Sequence, residues 1–243
     1  MPALRSGASR PASVAVLTVF IGTLVVYCAT AARYVRWGDS PEFVTVAHTL
    51  GIAHPPGYPL YTLLSALAVR IPLGEPFFRL SLLSALFGAA AAATLAALAW
   101  QMARLPRNGA SSGLAFFTWR PGPSTSNDGG GASGLPAAAS ALLAGLTFAF
   151  SPTVWSQAVV PEVYALSSLL LLLLILLLTA WVRRSTGGSR SRDAGSQGSA
   201  PGSAVVPAGH ASAGAADRLL PAMGLALGLA LAHHLTAVLV VPS

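Results

Sequence analysis

The chain has 243 residues, 54% hydrophobic and only 9% charged, with a formal net charge of +7 and a mean hydropathy of +0.67. A soluble domain carries about a quarter charged residues, so a water-soluble globule is excluded, and the apolar excess excludes disorder of the whole chain. All 14 basic residues are Arg and lie in the gaps between apolar runs, which argues against a nucleic-acid surface and for an all-α, multi-pass membrane protein. The single Cys, Cys28, sits inside the first run and has no intrachain partner for a disulfide.

A spanning helix needs about 20 mainly apolar residues. Residues 1–12, with Arg5 and Arg10, read as a cytosolic amino terminus. The first span is Ser13–Ala32. Ala29-Thr30-Ala31 is similar to a signal-peptide cleavage site, but the later runs favour an uncleaved anchor. Segment 33–79 follows and contains a short run, Leu60–Ile71, fenced by Pro59 and Pro72 and carrying Arg70. That length suits an interfacial or re-entrant segment. Leu80–Ala103 is the second span, so residues 13–103 form one unit. Residues 104–135 read as a disordered cytosolic loop. Pro136–Trp155 is the third span, which Pro152 should bend or stop, and Glu162–Val182 the fourth, giving a unit over 136–182 with a short outer turn. Residues 183–218 read as a second disordered loop, rich in Gly, Ser and Ala. Leu219–Val241 is the fifth span, within 219–243, and the chain is expected to be an amino-terminal fragment.

The arginines decide between five crossings and six. If the short run does not cross, Arg5, Arg10, Arg104, Arg107, Arg120, Arg183, Arg184, Arg190, Arg192 and Arg218 share one side. If it does cross, that side keeps only Arg5, Arg10, Arg70 and Arg79. The positive-inside bias favours about five spans. Segment 33–79 and the turn near 152–162 then face outward, together with Asp39, Glu42, Glu75 and Glu162.

In that outer segment Ser40 suits an N-cap, Pro41 a first helical position and Gly51 a stop. Phe43, Val46, Ala47 and Leu50 fall on one stripe, with Glu42, Thr45 and Thr49 opposite. This predicts a short amphipathic helix suited to the bilayer surface. Asp39 and Glu42 straddle its start, where the helix dipole favours negative charge; they either stabilise that start or form a site. His54-Pro55-Pro56-Gly57-Tyr58-Pro59-Leu60 is a stiff turn that would hold His54 and Tyr58 in place. Arg33 and Arg36 read first as interfacial anchors. Glu162 follows Pro161 at a helix start, where a capping role competes with a functional one. His233 and His234 lie in a span, where ionisable groups are costly; adjacent positions face different ways, so at most one would meet a ligand. No metal-ligand spacing such as His-Glu-x-x-His occurs, and no metal is assigned.

Gly38-Asp39-Ser40-x-Glu42, Ala47-His48 and Ala53-His54-Pro55-Pro56-Gly57-Tyr58-Pro59-Leu60 together resemble the first outer loop of the transmembrane protein O-mannosyltransferase family, a branch of the membrane-embedded GT-C glycosyltransferases. Trp155, Ala158 and Glu162-Val163-Tyr164-Ala165-Leu166 resemble a second motif. Gly228-Leu229-Ala230-Leu231-Ala232-His233-His234-Leu235-Thr236 resembles a third. The family more often has Gly at the position of Pro41 and an Asn-Gln pair where Ala232-His233 stands.

The resemblance implies a GT-C-like fold and an inverting transferase. It would move a sugar, with mannose favoured, from a polyprenyl- or dolichyl-phosphate donor to an acceptor protein hydroxyl at the outer or lumenal face. Asp39 would be the base and Glu42 would orient the acceptor, assist, or help hold a divalent cation, the one cofactor left open. His54, Tyr58, His233 and His234 would bind the substrate as donors toward phosphate, and Glu162 and Tyr164 would line the opposite wall. The rivals are a secondary transporter, for which the halves show no internal repeat, and a non-catalytic lipid-binding membrane subunit. Arg-only basicity leans toward a bacterial inner membrane over the endoplasmic reticulum.

Overall fold

The structure is a computed structural model and describes residues 10–104, 134–196 and 217–234. Residues 105–133 of the expected loop 104–135, residues 197–216 of the second loop, most of the amino terminus and residues 235–243 lie outside the described residues. Among those described, every regular element is a helix: α1 (Arg10–Thr30), α2 (Ser40–Thr49), α3 (Pro59–Ala68), α4 (Pro76–Ala103), α5 (Gly134–Ala149), α6 (Pro152–Ala158), α7 (Tyr164–Ser196) and α8 (Leu220–His233). The fold class is all-α and membrane-embedded.

Among the described residues, three helices are long and apolar enough to cross a bilayer: Pro11–Thr30, Pro76–Ala103 and Tyr164–Ser185. The pair α5 and α6, bent by 66°, makes a fourth if taken as one span. The bend falls just ahead of Pro152, whose ring cannot follow a helical carbonyl four residues back. The Ala149 carbonyl at the break accepts the Tyr27 hydroxyl at 2.6 Å, so that carbonyl stays paired at the interruption. The fifth run differs from expectation. Its helix ends at His233, and His234 is extended, with φ −151° and ψ 132°. The second loop also begins differently: α7 continues past Val182 to Ser196, with Arg183 hydrogen-bonded to the Gln101 carbonyl and side chain at the end of α4.

The run Leu60–Ile71 forms the 10-residue α3. At 1.5 Å per residue it is about 15 Å long, half the hydrocarbon thickness, and does not cross alone. Arg79 on α4 donates to the carbonyls of Val69, Leu73 and Gly74 and so folds the turn after α3 back onto α4.

Two cores result. Ala15, Val19, Tyr27, Ala85, Ala92, Ala96, Ala137, Ala141 and Ala158 pack α1, α4, α5 and α6 together. Small residues let these backbones approach closely where lipid offers no hydrophobic drive. The second core, Phe43, Val46, Ala47, Tyr61, Leu80, Val163, Leu166 and Ala230, joins α2, α3, α4, α7 and α8. The apolar stripe of α2 therefore faces protein and does not lie on a bilayer surface. Leu50 is the exception: it is 54% exposed and is the left-handed C-cap, φ 52°, the position assigned in sequence to Gly51. Asp39, not Ser40, is the N-cap, and it makes no side-chain capping bond.

Candidate functional site

Sequence-distant pieces converge at one end of the bundle. The Ala32 amide donates to the Val159 carbonyl, and the Trp155 indole donates to Thr30 Oγ1 at 3.2 Å. These bonds fix the exit of α1 beside the α6–α7 turn. On that base sits the turn 51–58, with a cis Pro55–Pro56 peptide and Gly57 at φ +91°. Tyr58, which is not glycine, takes φ 44°, a left-handed conformation that costs on the order of 1 kcal/mol or more. Packing supports it: the ring is buried and touches the rings of Phe43, His54, His233 and His234 at 5.3–6.1 Å.

Glu42 and His54 form the tightest polar contact there. Glu42 Oε1 accepts the His54 backbone N–H at 2.7 Å, and Glu42 Oε2 lies 2.7 Å from His54 Nδ1. A carboxylate is acceptor-only, so Nδ1 carries the proton. His54 Nε2 faces Asp39 Oδ2 at 3.8 Å and the Tyr58 hydroxyl at 3.5 Å. The bond from His54 holds Glu42 below the usual carboxylate range. The same bond raises His54, with the charges of Glu42, Asp39 and Glu162 adding to it. Asp39, Glu42 and His54 place one ligand atom each within 4.8 Å of one another, a spacing that one cation can span. Both Glu42 oxygens are already engaged by His54, so the donor set fits a hydrogen-bonded relay better than a cation site.

Glu162 reaches this cluster from the far wall. Its Oε1 accepts the Ser40 hydroxyl at 3.3 Å. Its backbone N–H donates to Ser84 Oγ at 3.2 Å, and the Ser84 hydroxyl lies 3.4 Å from its carbonyl. Burial pushes its carboxyl above the usual carboxylate range, and the nearby Asp39 charge pushes it further up. Both histidine rings lie against the Tyr58 ring, but they differ in burial. His233 is fully buried, with Nε2 3.0 Å from the Val163 carbonyl. His234 is half-buried and lies against the Tyr58 ring. Tyr164 lies near enough to Tyr58 for its charge to be felt there. It is 52% exposed and lines a separate cavity of about 380 Å³ with Gly88, Phe148, Thr153, Gln157 and Ser168. Arg33 stacks over Phe78 at 4.9 Å.

A family model described as the protein O-mannosyl-transferase TMEM260 N-terminal domain matches residues 39–243. The chain belongs to that family. The family's curated members include the mouse (Mus musculus) protein O-mannosyl-transferase TMEM260, 35% identical over 168 residues, 69% of this chain and 19% of the relative. They also include the Dictyostelium discoideum protein O-mannosyl-transferase tmem260, 26% identical over 159 residues, 64% of this chain and 16% of the relative. The chain thus spans about a fifth of the length of the curated relatives it matches. No solved structure matches.

Within the family's matched region, the site contains two residues to which sequence reasoning gave no part in it. Ser40 looked like a helix cap and instead bridges to Glu162. Ser84, in the apolar α4, is the side chain that positions Glu162. The available signal for the second was a pair of serines, Ser81 and Ser84, in a run of leucines and alanines, since a buried hydroxyl seeks a partner; Ser81 finds its own in the Phe77 carbonyl.

Proposed function

We propose that the chain is the sugar-transfer half-site of a membrane mannosyltransferase that acts on protein hydroxyls from a polyprenyl-phosphate mannose donor, at the face away from the cytosol. Two facts support the reading: the chain belongs to a family whose curated relatives are named protein O-mannosyl-transferases, and one carboxylate in the motif stands open. That carboxylate is the observation that carries it. Asp39 is 61% exposed at its side chain, at a helix start, beside a histidine and opposite a second carboxylate.

Transfer by a single inverting displacement needs a base for the attacking hydroxyl, donors for the departing phosphate and a seat that aligns the reacting atoms. Asp39 is the base. The Tyr58 hydroxyl and His234 line the same end as donors toward phosphate. Glu162, made less acidic by its surroundings, closes the wall opposite Asp39. The apolar cavity by Gly88, Phe148 and Tyr164 is adjacent and suits a prenyl chain. His233 serves the site indirectly, by holding the Val163 backbone.

The test is Asp39→Asn in membranes that carry the protein, assayed with radiolabelled mannosyl-phosphoryl polyprenol and an acceptor protein. Transfer should fall by about 100-fold or more with expression intact. Undiminished transfer would remove Asp39 from the chemistry and the reading with it.

A further inference from the structure

We infer that His54 is the proton outlet of the site, taking the acceptor's proton onward from Asp39, and that Glu42 is the positioning residue that holds His54 for that task. The inference rests on the transferase reading above and deepens it.

The geometry is specific to this task. Glu42 has two acceptor oxygens, and both go to one residue: Oε1 to the His54 backbone N–H and Oε2 to Nδ1, each at 2.7 Å. A carboxylate so engaged does not orient a substrate. It fixes one ring, in one tautomer, with the Nε2 lone pair outward. Phe43 and Tyr58 hold the ring from its sides, with centroids at 5.8 and 5.3 Å. Nε2 then looks at Asp39 Oδ2, 3.8 Å away. That gap is one small rotation of an exposed side chain longer than a hydrogen bond, as substrate-free sites commonly show. Asp39, His54 and Glu42 thus stand in the order base, onward proton acceptor and orienting carboxylate, with Glu42 fixing His54 as a third group fixes the ring in other proton-transfer sites.

The groups facing His54 are Glu42 from α2, Asp39 from the start of α2, Glu162 from the α6–α7 turn and Tyr58 from its own loop. Three are carboxyls, so an imidazolium formed there is stabilised. The step balances without a further reactant. The acceptor oxygen bonds to the sugar carbon as the carbon–phosphate oxygen bond breaks, its electron pair leaving with the phosphate. The hydroxyl proton goes to Asp39 and then to Nε2, which restores the Asp39 carboxylate. His54, 36% exposed at its side chain, releases the proton to water.

His54→Asn keeps an N–H near the Nδ1 position for Glu42 and lacks Nε2, so it separates outlet from scaffold. In the transfer assay its kcat should fall by about 100-fold with KM little changed. The limb of the pH–kcat profile that rises as His54 loses its proton should vanish. Glu42→Gln should move that limb to lower pH, because the hydrogen bond from Nδ1 to the Glu42 carboxylate, and then its charge, raise His54. In His54→Ala, added imidazoles should restore turnover in proportion to their basicity, which a packing role would not produce. If His54→Ala fails to fold, the profile of His54→Asn decides alone. An unaltered kcat and pH limb in His54→Asn would overturn the inference while leaving the Asp39 reading intact. So would loss of wild-type transfer in EDTA with recovery on Mn²⁺, since the three side chains would then hold a cation. Full transfer by Asp39→Asn would sink the underlying reading instead.

Discussion

Glu42 takes both its hydrogen bonds from one residue, so the charge on that carboxylate and the shape of the 51–58 turn depend on each other. Glu42 sits below the usual carboxylate range. Its contribution is therefore present above about pH 4.3 and is lost as pH falls through the lower folded value. His54 is raised. Its contribution is complete below about pH 6.5 and is lost as pH rises through the higher folded value. The turn should be most ordered between those limits and loosen on both sides. Both side chains are more than a third exposed, so the effect is under about 1 kcal/mol. Amide exchange at His54 reports it directly, because that N–H is one of the two donors. Protection should pass through a maximum with pH in the wild type and flatten in Glu42→Gln; flat protection in both would refute the coupling. Asp39, Glu42, His54 and Tyr58 were legible in the sequence because a helix start and a proline turn lie within 20 residues of chain. The Ser40–Glu162 and Ser84–Glu162 bonds were not, because they link positions 122 and 78 apart and follow from helix packing that no local pattern records.

Among elements, the contrast between glycines shows where the bundle is tight. A Cβ on Gly88 would lie 2.8 Å from the Ala158 Cβ and 2.9 Å from Tyr27. On Gly145 it would lie 2.8 Å from Val19 and 3.1 Å from the Ala92 carbonyl oxygen, a backbone atom that does not yield. Alanine gains about 1 kcal/mol over glycine in a helix, and overpacking costs about 1–3 kcal/mol. The clash should win, so Gly145→Ala and Gly88→Ala should lower the thermal midpoint of the detergent-solubilised protein. At Gly228 a Cβ meets nothing within 4 Å, so Gly228→Ala should hold or raise it. Equal behaviour of the three variants would contradict the packing. The helix-breaking effect of Pro152 was readable because it is a covalent property of the residue. The direction faced by α2 was not: an apolar stripe of Phe43, Val46 and Ala47 looks the same whether it meets lipid or Tyr61 and Leu80.

At the scale of the whole molecule, the question is which end of the bundle faces the cytosol. The site end holds the exit of α1, all of α2 and α3, the start of α4, the α5–α7 turns and His233, as their mutual bonds establish. Of the arginines at that end, Arg33 stacks on Phe78, Arg70 donates to the Ala66 carbonyl and Arg79 ties down the α3–α4 turn. Those are structural tasks, and they weaken any claim that these arginines set orientation. The opposite end receives Arg104, Arg183, Arg184 and Arg218. Because α3 is too short to cross, it does not invert this arrangement, and the positive-inside bias predicts that the arginine-rich end faces the cytosol. In a Cys28→Ala background, a cysteine placed at residue 128 or 195 should react with an impermeant maleimide only when the cytosolic face is opened. One placed at the exposed Thr45 or His48 should react from the other face. Labelling of both sets from a single side would require an odd number of crossings fewer or more between them, and would put Asp39 and Glu162 in the compartment where the proposed lipid-linked donor and the exported acceptor do not meet.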